Sequence, residues 1–282
     1  MMIDGKQLAQ HVEERIARSL VGAARIPTLA IVVVGDDPVI ESFVRIKKRV
    51  AGRLGIPVLE KRFASDITGE ALVQEVLRCA EDVDVDGIVV QLPLPSVIDV
   101  DAVLRAIPVA KDVDVLSREA IAMFAQGDAP VLPPVAGAVQ EILEHLKVNI
   151  SGEDVLVLGF GRLVGVPVSI LFRHNGAHVT VIDKEIPDLA THTREARVIV
   201  SGVGKPGLLT PEMLTPQCIL IDAGTSESGG KVVGDADSRC ADVAFACTPV
   251  PGGVGPIAVV MLFKNLCVLA RLQNLETRQG SV

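Results

Sequence analysis

One lysine stands where its surroundings could change its chemistry. Residues 41–54 repeat with helical spacing, and Phe43, Lys47, Val50 and Leu54, set four, three and four apart, share one stripe. An amine in an apolar stripe has two fates. It can snorkel out to join Arg45, Lys48 and Arg49 on a solvated basic face. Alternatively it stays partly desolvated, its pKa falls, and the neutral amine accepts protons near neutral pH. Gln91 directly follows the β-branched run 87–90, at the strand edge where side chains enter a cleft. Lys111-Asp-Val-Asp114 adds two carboxylates, which composition alone leaves as solvated loop residues.

A second group of residues suits a dinucleotide. Asp154 to Gly165 is an apolar strand running into GxGxxxG and then a helix, with Gly159, Phe160, Gly161 and Arg162 in the turn. Glycines there permit a tight turn and close backbone approach, and a helix N-terminus offers N–H groups to a pyrophosphate. A second strand ends at Asp183, 24 residues after Gly159. An acid so placed accepts hydrogen bonds from an adenosine ribose and repels a 2′-phosphate, unless it only caps its own loop. Two more glycine-bearing loops follow strands, Val200-Ser-Gly-Val-Gly-Lys-Pro206 with Gly204, and Asp222-Ala-Gly-Thr225 with Gly224 and Thr225.

The elements that would carry these residues alternate. Strands are expected at 28–34, 87–90, 154–158, 178–182, 198–201 and 218–221, and helices at 7–24, 41–54, 69–81, 138–147, 164–175 and 257–272. The fold class is therefore α/β with parallel sheets. At 282 residues two domains are expected, 1–137 joined by the C-terminal helix (about 257–282) and 138–256, with the boundary in a loop holding Pro130, Pro133, Pro134 and Gly137. Residues from Gln273 onward read as a frayed tail. A net charge of −8 argues against nucleic acid or an anionic membrane as partner and favours a small molecule. No apolar run reaches bilayer length, and the N-terminus has no signal-like pattern, so a cytoplasmic location is expected. Five cysteines without a CxxC pair, and five histidines without ligand spacing, signal no metal. Trp and Tyr are both absent.

Thr248-Pro-Val-Pro-Gly-Gly-Val-Gly-Pro256 is long and idiosyncratic, and it follows Gly234-Asp-Ala-Asp237. With Ile3-Asp-Gly-Lys6, Val34-Gly-Asp-Asp-Pro38, Gln91-Leu-Pro-Leu-Pro95 and Lys111-Asp-Val-Asp114, it resembles the bifunctional methylenetetrahydrofolate dehydrogenase/methenyltetrahydrofolate cyclohydrolase family from end to end. The resemblance implies an N-terminal α/β catalytic domain and a Rossmann-type dinucleotide-binding domain with a cleft between them, and a homodimer joined through the Rossmann domain. It implies tetrahydrofolate derivatives as substrates and a nicotinamide cofactor, NAD or NADP. On the same ground Lys47 is the acid/base group for water addition, Gln91 orients it, and Asp114 binds the pterin. Phe43 stacks on the folate, Pro251, Gly252 and Gly253 shape the pocket, and Thr248 lies near the nicotinamide carboxamide.

The chain departs from that pattern at informative places. Phe43 stands where the family has Tyr, Val115 and Leu116 where it has Gly and an aromatic, and Pro133-Pro-Val-Ala136 where it has Pro-Cys-Thr-Pro. Phe160 and Gly161 replace an Arg-Ser whose arginine helps hold the 2′-phosphate in NADP-using members. With Asp183, this points to NAD, while Arg162 and Lys184 are the cations that could favour NADP. The missing phenol points to a weakened cyclohydrolase.

Overall fold

The computed structural model describes residues 1–183, 188–228 and 231–279. Lys184 lies outside them. The chain divides into two units, one of residues 12–133 with the chain from Val259 onward, the other of residues 1–11 with 134–258.

The first unit begins within helix α1 (Gly5–Leu20) and continues with β1 (Leu29–Val34), α2 (Pro38–Leu54), β2 (Val58–Phe63), α3 (Gly69–Glu81), β3 (Gly87–Val90), α4 (Val100–Arg105) and α5 (Arg118–Gln126). Its sheet is parallel, in the order β2-β1-β3. Every residue of β1 and β3 is buried, as expected of a parallel sheet covered by helices. The core gathers Ala30, Val32, Leu72, Val76, Ile88 and Leu104. Helix α2 starts at Pro38, three residues before the expected 41, because the Asp37 carboxylate accepts the Val39 and Ile40 N–H groups and Pro38 fills the first turn.

The second unit holds α6 (Pro134–Leu146), β4 (Asp154–Leu158), α7 (Gly165–His174), β5 (His178–Ile182), α8 (Leu189–Glu195), β6 (Val198–Ser201), β7 (Ile219–Asp222), the short pair β8 (Ser226–Ser228) and β9 (Lys231–Val233), and β10 (Ala246–Cys247). The five-stranded parallel sheet runs β10-β7-β6-β4-β5. The chain reverses direction across the sheet between β5 and β6, so β4 and β6 flank the switch point where such folds bind ligands.

Three expectations change. The boundary expected at 137/138 falls at 133/134, because Pro134 opens α6 instead of ending a loop, and Gly137 is buried inside it. The first eleven residues group with the dinucleotide-binding unit, since Met2 bridges Cys247 and the Ile3 N–H reaches the Cys247 carbonyl at 2.9 Å. The C-terminal helix α9 (Val254–Gln279) is longer than 257–272, and Gln273 is no frayed end. Its amide donates to the Asp86 and Ala110 carbonyls at 3.0 and 2.8 Å.

Helix α9 also corrects the reading that no segment matches a bilayer. Val254–Leu275, 22 residues with mean hydropathy 1.6, is long and apolar enough by length and composition alone. Lys264, Asn265 and Arg271 interrupt its runs and hide that average in the sequence. Most of its apolar window is buried within the fold, as in a core helix. All five cysteines are buried, and burial pushes the Cys218 and Cys247 thiols up to about 12.

Candidate active site

Helix α2 buries Ile40, Val44, Val50, Ala51 and Leu54, and Lys47 lies half-buried on the same stripe. Phe43 sits one turn earlier at the margin of the stripe, 37% exposed, beside the exposed Val39 and Ile46. The Lys47 Nζ donates to Gln91 Oε1 at 2.8 Å. Gln91 is buried, with its N–H on the Val32 carbonyl at 2.9 Å and its Nε2 on the Leu92 carbonyl at 3.1 Å. That second bond fixes the amide so that its oxygen faces the amine. The sequence left Lys47 open between solvated and desolvated, and the structure decides for the second. Burial lowers its pKa, and the opposing pull of Asp114 only partly offsets this.

Asp114 completes the group. Desolvation pushes its carboxyl up to about 6, against the Lys47 charge that favours ionisation. Asp112 differs from Asp114, because its buried carboxylate accepts the Leu116 and Ser117 N–H groups at 3.1 and 2.8 Å and so shapes the loop. One unit thus assembles an amine that can lose its proton, an amide that aims it, and a carboxylate suited to paired N–H donors.

The second unit carries the glycine loops. Gly159 has φ +84°, and a Cβ there would meet the Gly202 carbonyl at 2.9 Å, so the turns after β4 and β6 touch through backbone. A Cβ at Gly165 would stand 1.9 Å from the Gly159 oxygen, whereas Gly161 faces open space. Helix α7 begins without a side-chain cap. Its first turn and the cradle beside it fit a pyrophosphate. At the end of β5, exposed Asp183 accepts the Phe160 N–H at 3.0 Å through Oδ1, and Phe160 itself is 48% exposed. Gly204 has φ +76°, and Thr225 is exposed at the neighbouring loop. Arg162 is exposed in the same turn as Phe160.

Thr248 is buried, and its Oγ1 accepts the Asp222 N–H at 2.8 Å, so the hydroxyl holds the end of β7. Pro251, Gly252 and Gly253 form a compact turn in the dinucleotide-binding unit, with Gly252 at φ +108°. A Cβ at Gly5 would lie 1.9 Å from the Gly253 oxygen. The two quoted segments around Gly5 and Gly253 therefore pack backbone on backbone.

The sequence reading missed Asp235. Wholly buried, it accepts from Ser201 Oγ at 2.6 Å, Val203 N–H at 2.8 Å and Lys205 N–H at 2.7 Å, and a Cβ on Gly224 would collide with it. One carboxylate thus ties the loops after β6 and β7 together. Its signal in the sequence is its place in Gly234-Asp-Ala-Asp237.

Two family models match the chain. The catalytic domain of tetrahydrofolate dehydrogenase/cyclohydrolase matches residues 3–114, and that family's NAD(P)-binding domain matches residues 133–274. The chain belongs to the tetrahydrofolate dehydrogenase/cyclohydrolase family. The bifunctional protein FolD of Methanospirillum hungatei is 36% identical over 272 residues, covering 96% of this chain and 98% of the relative. The bifunctional FolD structure from Campylobacter jejuni superposes with a TM-score of 0.93 at 30% identity, covering 97% of this chain and 99% of that one. The Trypanosoma brucei methylenetetrahydrofolate dehydrogenase-cyclohydrolase, solved with NADP and an inhibitor, gives 0.91 at 33% identity, with 97% and 98% coverage. Lys47, Gln91 and Asp114 all fall within the tetrahydrofolate dehydrogenase/cyclohydrolase catalytic match, and the glycine loops fall within its NAD(P)-binding match.

Proposed function

We propose that this protein oxidises 5,10-methylenetetrahydrofolate to the 5,10-methenyl form with a nicotinamide dinucleotide and hydrolyses that product to 10-formyltetrahydrofolate. The observation that carries this is the Lys47 amine, 2.8 Å from Gln91 Oε1 and beside Asp114, within the family's catalytic match. Gly159, Gly165, Gly204 and Gly224 leave the backbone approach that the dinucleotide needs, and the bound dinucleotide supplies a hydride acceptor. Asp114 accepts the paired N–H groups of the pterin, and the Phe43 ring packs against the folate. With the ring oriented, loss of hydride from the methylene carbon needs no protein acid or base. Water addition to the methenyl carbon does need one, and Lys47 in its neutral form takes that proton while Gln91 holds it in line. The test is turnover of methylenetetrahydrofolate by purified protein, following reduced dinucleotide and methenyl product together. Reduced dinucleotide appearing with methenyl that then decays is expected, and no reduction with either dinucleotide would contradict the reading.

We further infer a preference for NAD. Asp183 faces solvent at the end of β5, and Phe160, which by the family resemblance replaces a phosphate-holding arginine, presents an exposed apolar ring beside it. A 2′-phosphate beside that carboxylate meets repulsion, which Arg162 in the same turn would have to offset for NADP to be preferred. NAD is expected to give the higher kcat/KM, and Asp183→Ala to lower the NAD/NADP ratio by about tenfold, a change of about 1.4 kcal/mol in discrimination. A higher kcat/KM with NADP overturns the preference.

Phe43 keeps the ring and lacks the hydroxyl. A hydrogen bond to a charged or partly charged amine contributes about 1.5–3 kcal/mol, so its absence slows proton transfer about tenfold to a hundredfold if felt wholly in the transition state. Phe43→Tyr is expected to raise cyclohydrolase turnover by about tenfold and leave dehydrogenase turnover nearly constant. No gain in a folded, folate-binding variant would show that another group fills the hydroxyl's place.

A further inference from the structure

We propose that Asn265 is a positioning residue for Asp114, and that helix α9 uses it to set the folate-binding carboxylate against the Lys47 amine. The inference rests on the reading of Asp114 as the carboxylate that binds folate.

Asp114 sits on a loop whose backbone is unusual at the next residue. Val115 is 2% exposed and has φ +54°, in the left-handed region that a β-branched residue disfavours. Such a conformation persists only when the surroundings hold it. Four side chains do so. Asp112 accepts the Leu116 and Ser117 N–H groups, and Lys111 Nζ donates to the Ala80 and Asp82 carbonyls, each at 2.7 Å. Gln273 donates to the Ala110 carbonyl at 2.8 Å. Asn265, 3% exposed, donates through Nδ2 to the Val113 carbonyl at 2.9 Å and to the Leu132 carbonyl at 2.7 Å.

One turn from Asn265 on α9, Met261, Leu262 and Leu269 are apolar and buried. A primary amide in such a place costs stability unless both its N–H groups are used, and here both are. One goes to the peptide that joins Val113 to Asp114, and the other to the loop that precedes Pro133. Asn265 and Gln273, eight residues apart on one helix, together grip the chain at 110 and 113. Asp114 then projects from a segment anchored on its N-terminal side by α9 and on its C-terminal side by Asp112. A shift of that segment moves the carboxylate relative to Lys47, which changes both the hold on folate and the ease of ionising Asp114.

The test compares Asn265→Ala with the parent protein and with Asp114→Asn, measuring the folate and dinucleotide KM values and the pH below which folate kcat/KM falls. The expected result for Asn265→Ala is a folate KM raised about tenfold, a dinucleotide KM within about twofold, and a displaced acid limb. A merely structural amide would lower thermal stability and leave the KM ratio and the acid limb where they were, and that result overturns the proposal. If the alanine variant does not accumulate as folded protein, Asn265→Gln keeps the amide but displaces it by one methylene, and it is judged on the same readouts. If Asp114→Asn changes folate binding and the Asn265 variants do not, only the positioning role falls. If Asp114→Asn leaves folate KM and the acid limb unchanged, the reading of Asp114 falls and the positioning role with it.

Discussion

Replacing Lys47 by methionine is expected to cut cyclohydrolase activity by about 10²–10⁴-fold, the usual range for loss of a general base, and to leave dehydrogenase activity within about tenfold. The two steps act on one bound folate but ask different things of the protein. Hydride departure needs the pterin and dinucleotide rings aligned, while water addition needs a group that takes a proton. Methionine keeps the length and apolar body of the side chain that α2 holds within its buried stripe, so the helix is undisturbed. It removes the donor to Gln91 Oε1 and the positive charge beside Asp114. Without that charge the Asp114 carboxyl rises further, and the residual dehydrogenase loss is therefore expected to be greater in acid than above neutrality. Equal proportional loss of both activities would mean that Lys47 only binds substrate.

Asp235→Ala is expected to raise the dinucleotide KM by about a hundredfold. The substitution strands three donors, Ser201 Oγ and the Val203 and Lys205 N–H groups, two of them backbone groups in the loop after β6. Bonds to a charged acceptor are worth about 1.5–3 kcal/mol each and do not simply add, so a loss of about 3 kcal/mol from the ordered loop is a fair expectation. The same loop backs on Gly159, through the Gly202 carbonyl, so its loosening reaches the turn that faces the pyrophosphate. Folate KM in the cyclohydrolase assay, which needs no dinucleotide, is expected to stay within about twofold. A folded variant whose dinucleotide KM is unchanged would remove Asp235 from the account.

The sequence reading succeeded where local pattern decides structure. Strands at 87–90, 154–158, 178–182 and 198–201 have the expected bounds, because their β-branched runs carry the signal, whether buried on both faces as in β3, β4 and β6 or half-exposed at the sheet edge as in β5. Strand β2 escaped notice because Val58–Phe63 carries Glu60, Lys61 and Arg62; its parallel ladder with β1 makes an edge strand of it, and Glu60 and Arg62 pair with Lys48 and Glu41 on α2. Helices α4, α5 and α8 are short, and length is what a periodicity needs to be seen. At the site, Lys47 was visible as a charge inside an apolar stripe. Its fate was not visible, since the partner that settles it lies 44 residues away. Asp235 and Asn265 were illegible for a related reason. Each is a buried polar group whose donors or acceptors come from distant loops, and in one dimension it reads as an ordinary loop acid or helix amide.

The pH dependence of the two activities separates the roles of Asp114 and Lys47, because kcat/KM reports ionisations of the free enzyme. Asp114, with a pKa near 6, must be ionised to hold the pterin, so folate kcat/KM for both activities falls as pH drops through about 6. Lys47 must be neutral to accept the proton, and burial brings its pKa below the usual lysine range. The cyclohydrolase therefore climbs through a second inflection at higher pH that the dehydrogenase lacks, and Lys47→Met abolishes that climb. Two inflections are expected for the cyclohydrolase and one for the dehydrogenase. Profiles of identical shape for the two activities, or a dehydrogenase with no acid limb near pH 6, would contradict it.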